Sequence, residues 1–138
     1  MKIASTRYSD VAFDLGTLML RIGAGSLMFV NHGLNKLTNF GRLSSGFSNP
    51  LGLGSPATLS LVIFAEVFCS ALVILGLFTR LACIPLVFSL AFAFFNVHHM
   101  NYSGGQGGGE SALLFGICFL ALLFTGAGRI SMDRLIGK

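Results

Sequence analysis

Four long apolar runs, at about 13–34, 56–79, 81–98 and 111–128, leave this chain few ways to fold. Each approaches the ~20 residues that an α-helix needs to cross ~30 Å of hydrocarbon. None shows the period-two alternation of a membrane-facing barrel strand, so the runs are predicted to be helices. Charge sparsity points the same way. Only 10% of residues are charged and 54% are hydrophobic, whereas soluble domains carry about 25% charged residues. Too little polar surface exists to clothe a water-facing shell. The predicted fold is all-α, a four-helix transmembrane bundle forming a single membrane domain over 1–138. A signal peptide does not account for the first run, which is long, contains Arg21 and lacks a small-residue cleavage site after it.

The sequence pI of about 9.4 raises the question of nucleic acid. Apart from Arg21, the nine Lys and Arg residues are scattered over the ends of the runs, with no basic stretch and no interleaved aromatics. They read as membrane-flanking cations, and nucleic acid is not an expected partner. Cys69, Cys83 and Cys118 form no C-x-x-C pair, so they read as packing residues. The link 35–55 is rich in Gly and Ser with Phe40, Leu43 and Phe47 interspersed. That pattern suits a segment on the membrane surface, with room for one short amphipathic helix. The glycine-rich stretch at 102–109 lacks the Lys-Ser/Thr of a phosphate loop and reads as a flexible connection.

Orientation follows from the charges. Four spans put both termini and the turn at Thr79–Arg80 on one side, with Lys2, Arg7, Arg80, Arg129, Arg134 and Lys138. The other side holds Lys36 and Arg42. By the positive-inside rule the termini are cytoplasmic, and the link 35–55 is periplasmic in a multi-pass protein of a bacterial inner membrane.

Ionisable groups inside the hydrocarbon are the candidate functional residues, because each costs about 2.5–3.5 kcal/mol on insertion scales. Arg21 and Glu66 lie at similar estimated depths in the first two runs, and a buried Arg21–Glu66 ion pair is predicted. Its role is left open between fixing helix register and handling a proton or ligand. Asp14, Thr17, Arg21, Gly25, Met28, His32 and Asn35 share one face of the first helix, which must turn into the bundle. A second cluster gathers at the periplasmic ends: His32, Lys36, Asn96, His98, His99, Tyr102 and Glu110. Adjacent histidines point about 100° apart, so no metal site is expected. The cluster is open to two readings: interface hydrogen bonding, or a polar pocket for a small ligand such as a quinone headgroup. In the second reading His32 and His99 converge with Glu110 on one cavity.

These residues fall in motifs similar to those of the DoxX family of bacterial membrane proteins. The first helix carries Leu20-Arg21, then Gly25, then His32-Gly33 with Lys36-Leu37. The second carries Ala65-Glu66, then Gly76-Leu77 with Thr79-Arg80. Glu110 precedes the last helix, and Gly126-Ala-Gly-Arg-Ile-Ser-Met-Asp133 follows it. Their order and spacing, over about residues 15–135, carry the resemblance. It implies a four-helix inner-membrane protein. It also implies an association with redox systems, since relatives include a membrane subunit of thiosulfate:quinone oxidoreductase and a member of a mycobacterial oxidant-defence complex. The cysteine pair of a thiol relay, present in some redox relatives of similar topology, is missing here.

The expected function is therefore a membrane subunit of a redox-associated system. It would bind a quinone or similar amphiphile in a polar interior formed from Arg21, His32, Lys36, Glu66, Asn96, His99 and Glu110. The alternative is a non-catalytic membrane partner that anchors another protein through the link 35–55. A proton or solute pathway is a third reading, but no broken-helix repeat supports it. No complete set of nucleophile, base and orienting group is visible, so catalytic residues remain unassigned.

Overall fold

The computed structural model describes residues 2–47, 49, 52–105 and 108–138. Among these the chain is all-helical, with no strand. The helices are α1 (Asp10–Thr38), α2 (Phe40–Leu43), α3 (Ser55–Leu75), α4 (Thr79–Val97), α5 (Glu110–Thr125) and α6 (Met132–Leu135). α1, α3 and α4 are long and apolar enough to span a membrane, and α5 is a shorter apolar helix. Its 16 residues reach about 24 Å. Together they form the four-helix bundle. The expected flexibility of the glycine-rich stretch at Gln106 and Gly107, and the course of the link at Ser48, Pro50 and Leu51, lie outside the described residues.

The core is a seam of Met28, Val73, Cys83, Leu86, Phe119 and Leu122, all fully buried. The outer surface is equally apolar: Met19 and Phe124 are each 74% exposed, and Leu81 is 66% exposed. Large apolar side chains on both faces require lipid outside the bundle, since water would penalise so continuous an apolar surface. The three cysteines are free thiols, with Cys69 and Cys83 in the core.

Three spans contain a π-helical turn: Met28–Leu34 in α1, Phe64–Cys69 in α3 and Ala93–Val97 in α4. At the last, the His98 N–H reaches five residues back to the Ala93 carbonyl at 2.9 Å. Such wide turns rotate the side chains beyond them relative to a regular helix, and they recur at functional positions. Those of α1 and α3 pack against each other.

The register of α1 against α3 is set where backbones touch. A Cβ on Gly33 would lie 2.8 Å from the Glu66 carbonyl oxygen, and one on Gly25 would lie 2.7 Å from the Ile74 side chain. Position 33 is therefore level with 66, and 25 lies between 70 and 74, with the Ser70 carbonyl oxygen 3.4 Å from a Cβ there. One turn earlier on α1, Arg21 reaches the end of α3 and the turn after it, at Ile74 and Gly76. Small residues at such crossings let transmembrane helices meet closely, and close contact is what holds helices together in lipid.

At the end of the bundle where both termini lie, the segment after α5 folds back as a strap. Asp14 accepts from the Arg129 backbone N–H and Nε, each at 2.8 Å, and Arg129 Nη2 reaches Asp10 at 2.9 Å. The bond to Asp14, then the charges of Asp10 and Asp14, hold the Arg129 guanidinium above the usual arginine range. Arg21 donates to the carbonyls of Ile74 (3.5 Å) and Ile130. The α3–α4 turn is closed by Gly76 at φ 70°, with the Leu77 N–H returning to the Leu72 carbonyl at 2.9 Å. That 6→1 bond is a Schellman ending, which needs a residue at ease in the left-handed region. A side chain at 76 would also collide with the Arg21 guanidinium. Asp133 then caps the next helix, accepting from the N–H groups of Phe78 (2.6 Å) and Thr79 (3.0 Å).

If Asp133 caps α4, Asp133→Ala should destabilise the protein by about 1–2 kcal/mol, the usual cost of losing a helix cap. Asp133→Asn, which keeps one acceptor oxygen, should cost less. Unfolding in detergent micelles would measure both, and equal stability of all three proteins would show that the cap contributes nothing.

Candidate functional site

At the opposite end of the bundle, α1 and α3 place two charges in contact. Lys36 Nζ lies 2.7 Å from Glu66 Oε2, and the Glu66 side chain is only 7% exposed against 23% for Lys36. Local structure explains the meeting. In a helix each Cα–Cβ bond tilts toward the N-terminus. Lys36, one turn beyond Gly33, therefore leans back into the bundle, and Glu66, on an antiparallel helix, leans out toward it. The π-helical turn that carries Glu66 is held by Ser70, whose hydroxyl donates to the Glu66 carbonyl and lies 3.2 Å from that of Val67. His32, half-buried in the same stretch of α1, sets its ring edge-to-face on Phe115 of α5, with centroids 5.4 Å apart. An imidazole, an ammonium and a buried carboxylate thus sit on adjoining turns at one end of the bundle.

The predicted Arg21–Glu66 pair does not form. Depth counted from run boundaries placed the two at one level, but α1 continues to Thr38 and the glycine contacts put Arg21 beside the α3–α4 turn instead. The same tilt carries its guanidinium farther from Glu66, to the carbonyls of Ile74 and Ile130. Among the described residues its buried Nε has no hydrogen-bond partner.

The other candidates lie apart. Asn96 and His99 are exposed, and His99 holds a left-handed backbone at φ 50°. Glu110 is exposed at the start of α5, its carboxylate folded over Gly104. No hydrogen bond or ion pair among the described residues joins these three side chains to His32, Lys36 or Glu66. No direct contact realises the expected convergence of His32, His99 and Glu110 among the described residues: His32 rests on Phe115, and His99 and Glu110 are exposed. A cavity of about 300 Å³ between α3 and α4 is lined by Thr58, Val62, Ala65, Pro85, Phe88 and others, with no ionisable residue among them. No group of three or more His, Cys, Asp or Glu side chains suited to a metal ion occurs among the described residues. The reading of the runs missed Ser70, Phe115 and the capping role of Asp133. The tilt of Cβ toward each helix N-terminus was the signal that could have paired Lys36 with Glu66.

An apolar-faced helical bundle with buried charges defines an integral membrane protein with several spans. The profile of the DoxX family matches residues 16–99, and the chain belongs to that family. The matched stretch contains Arg21, His32, Lys36, Glu66, Asn96 and His99, and it ends before Glu110. Among similar proteins, one from Haemophilus influenzae, named as uncharacterised, is 36% identical over 119 positions, covering 80% of this chain and 84% of that one. An uncharacterised membrane protein of Mycobacterium tuberculosis is 29% identical over 128 positions, covering 81% of this chain and 76% of that one. No solved structure matches.

The pairing makes a testable distinction. Lys36→Met should destabilise by about 2–3 kcal/mol, somewhat below the ~3–5 of a fully buried pair because Lys36 is partly exposed. Adding Glu66→Met should recover most of that loss, whereas Arg21→Met and Glu66→Met should add within ~0.5 kcal/mol, as for distant sites. Unfolding free energies of the two cycles decide it. Coupling in the 21–66 cycle and none in the 36–66 cycle would reverse the assignment.

Proposed function

We propose that this chain is a multi-pass protein of the bacterial inner membrane and the membrane component of a redox-associated system. Its ligand in this reading is a quinone or similar small amphiphile, held beside His32, Lys36 and Glu66. The observation that carries the reading is the Lys36–Glu66 pair, 2.7 Å long and set against an imidazole-bearing turn within an apolar bundle. Intramembrane ionisable groups are costly enough that a functional reason is the default reading. Chemically the set suits a polar headgroup. His32 and Lys36 supply N–H donors for carbonyl oxygens, and Glu66 supplies an acceptor for a hydroxyl. Ala65, next to Glu66 in sequence, lines the apolar cavity between α3 and α4, which would suit a chain attached to such a head. Arg21 is left out of this reading because its guanidinium serves the strap, and Asn96, His99 and Glu110 would form only the rim.

A second reading is supported by that rim. Asn96, His99, Tyr102 and Glu110 are all exposed at one end, together with the half-buried Phe40, Leu43 and Phe47 beyond α1. Such a surface suits a non-catalytic role in which another protein docks there. The proposed orientation, with both termini cytoplasmic, rests on six cations at the terminal end against Lys36 and Arg42 at the other.

Protein purified in mild detergent should yield a quinone on solvent extraction, and it should bind a short-chain quinone. His32→Ala and Lys36→Met should weaken binding roughly ten-fold or more, and His99→Ala should leave it within two-fold, on the order of one lost charge-assisted hydrogen bond against none. Absence of quinone together with a stoichiometric protein partner would transfer the conclusion to the docking reading. For orientation, a reporter fused after Lys138 should be active only in its cytoplasm-sensing form.

A further inference from the structure

A cavity of about 510 Å³ opens at the terminal end of the bundle, between the start of α4 and the end of α5. Its walls include Thr79, Arg80, Leu81, Thr125, Asp133 and Lys138. It is independent of the group around Glu66, which lies at the other end. We propose that this cleft binds the phosphodiester headgroup of an anionic phospholipid from the adjoining leaflet.

Three observations carry the assignment. First, two cations line the cleft and are only lightly engaged. Arg80 makes one hydrogen bond among the described residues, from Nη2 to the Phe124 carbonyl at 3.2 Å, leaving the rest of its five N–H donors for a ligand. Lys138 Nζ stands 4.0 Å over the Phe78 ring, which positions an ammonium without neutralising it. Second, the one carboxylate side chain in the wall is already committed. Asp133 accepts from the Phe78 and Thr79 N–H groups, so its charge is met by the α4 N-terminus. Third, the surroundings suit a lipid better than a free anion. Leu81, Ile84 and Phe88 run up α4 from the cleft on one outward stripe, exposed by 66%, 53% and 63%. An acyl chain can lie on that stripe while its headgroup stays at the level of the turn. Beside the cleft the strap continues with exposed Ile130, Leu135 and Ile136 alternating with Arg129, Arg134 and Lys138, the pattern of a segment lying in the interface. Basic pockets between transmembrane helices at the headgroup level are favourable sites for anionic lipids.

Native mass spectrometry of the purified full chain tests this with phosphatidylglycerol, phosphatidylcholine and inorganic phosphate as separate probes. Phosphatidylglycerol should bind at one saturable site, at least several-fold more tightly than phosphatidylcholine, and inorganic phosphate should not compete at comparable concentration. Lys138→Gln and Arg80→Gln should each weaken phosphatidylglycerol binding roughly five-fold, as for one basic residue near an anionic surface. Arg80 also holds the end of α5, so Arg80→Lys, which keeps the charge, should retain most of the binding. Arg7→Gln, at the same end but outside the cleft, should change nothing. Equal binding of the two lipids, equal effects of Arg7→Gln and Lys138→Gln, or displacement by inorganic phosphate would each overturn the proposal, the last by making this a free-anion site.

Discussion

The close approach of α1 and α3 governs the rest of the architecture. In lipid, two apolar helices gain little by hiding from their surroundings, so their association depends on how closely their backbones can pack. Gly33 against the Glu66 carbonyl and Gly25 against Ile74 provide that approach, and two such contacts leave one register. Once 33 is level with 66, the fate of each nearby charge is decided. Lys36 is one turn above Glu66 and tilts down to it. Arg21 reaches the end of α3 and the turn after it, and tilts away from the bundle centre.

The two ends then manage polar groups differently. At the terminal end the strap after α5 answers backbone and side-chain demands together: Asp133 caps α4, Asp14 holds Arg129, and Arg21 serves carbonyls on both the turn and the strap. Family-like motifs that are far apart in sequence, Leu20-Arg21, Gly76 to Arg80 and Gly126 to Asp133, meet here and have a structural explanation in one hydrogen-bonded closure. The remaining motifs, His32-Gly33, Lys36 and Glu66, meet at the other end. There the same physics leaves a buried ion pair, which is a poor source of stability. That contrast is why the functional reading is placed at Glu66 and not at Arg21.

The π-helical turns belong to the same account. Those of α1 and α3 carry His32 and Glu66, and they pack on each other where Gly33 allows contact. A wide turn rotates every side chain beyond it, so helical-wheel reasoning loses phase at these positions. His32 falls on the stripe of Arg21 by a regular count, yet its ring rests on Phe115 while Arg21 serves the strap.

Much of the fold was legible in the residues themselves. Run length and the scarcity of charge determine that helices form, that lipid surrounds them, and that both termini share an end. The motifs from Arg21 to Asp133 identify the family. The ionisable residues worth attention could also be read directly, since a charge in an apolar run stands out against insertion cost. Their partners could not. Pairing across helices depends on axial register, and register is set by backbone contacts at single glycines that an unaligned string of residues does not rank. Glu66 could pair with Arg21 or Lys36 by composition alone; the two lie about 22 Å apart along α1 at 1.5 Å per residue, and the axial register chooses between them. Tertiary structure therefore decided that Glu66 meets Lys36, and that Asn96, His99 and Glu110 are exposed. It also decided that the segment from Gly126 to Asp133 closes the bundle rather than trailing from it, because only there do the Ile130 carbonyl and the Asp133 carboxylate meet Arg21 and the α4 N-terminus.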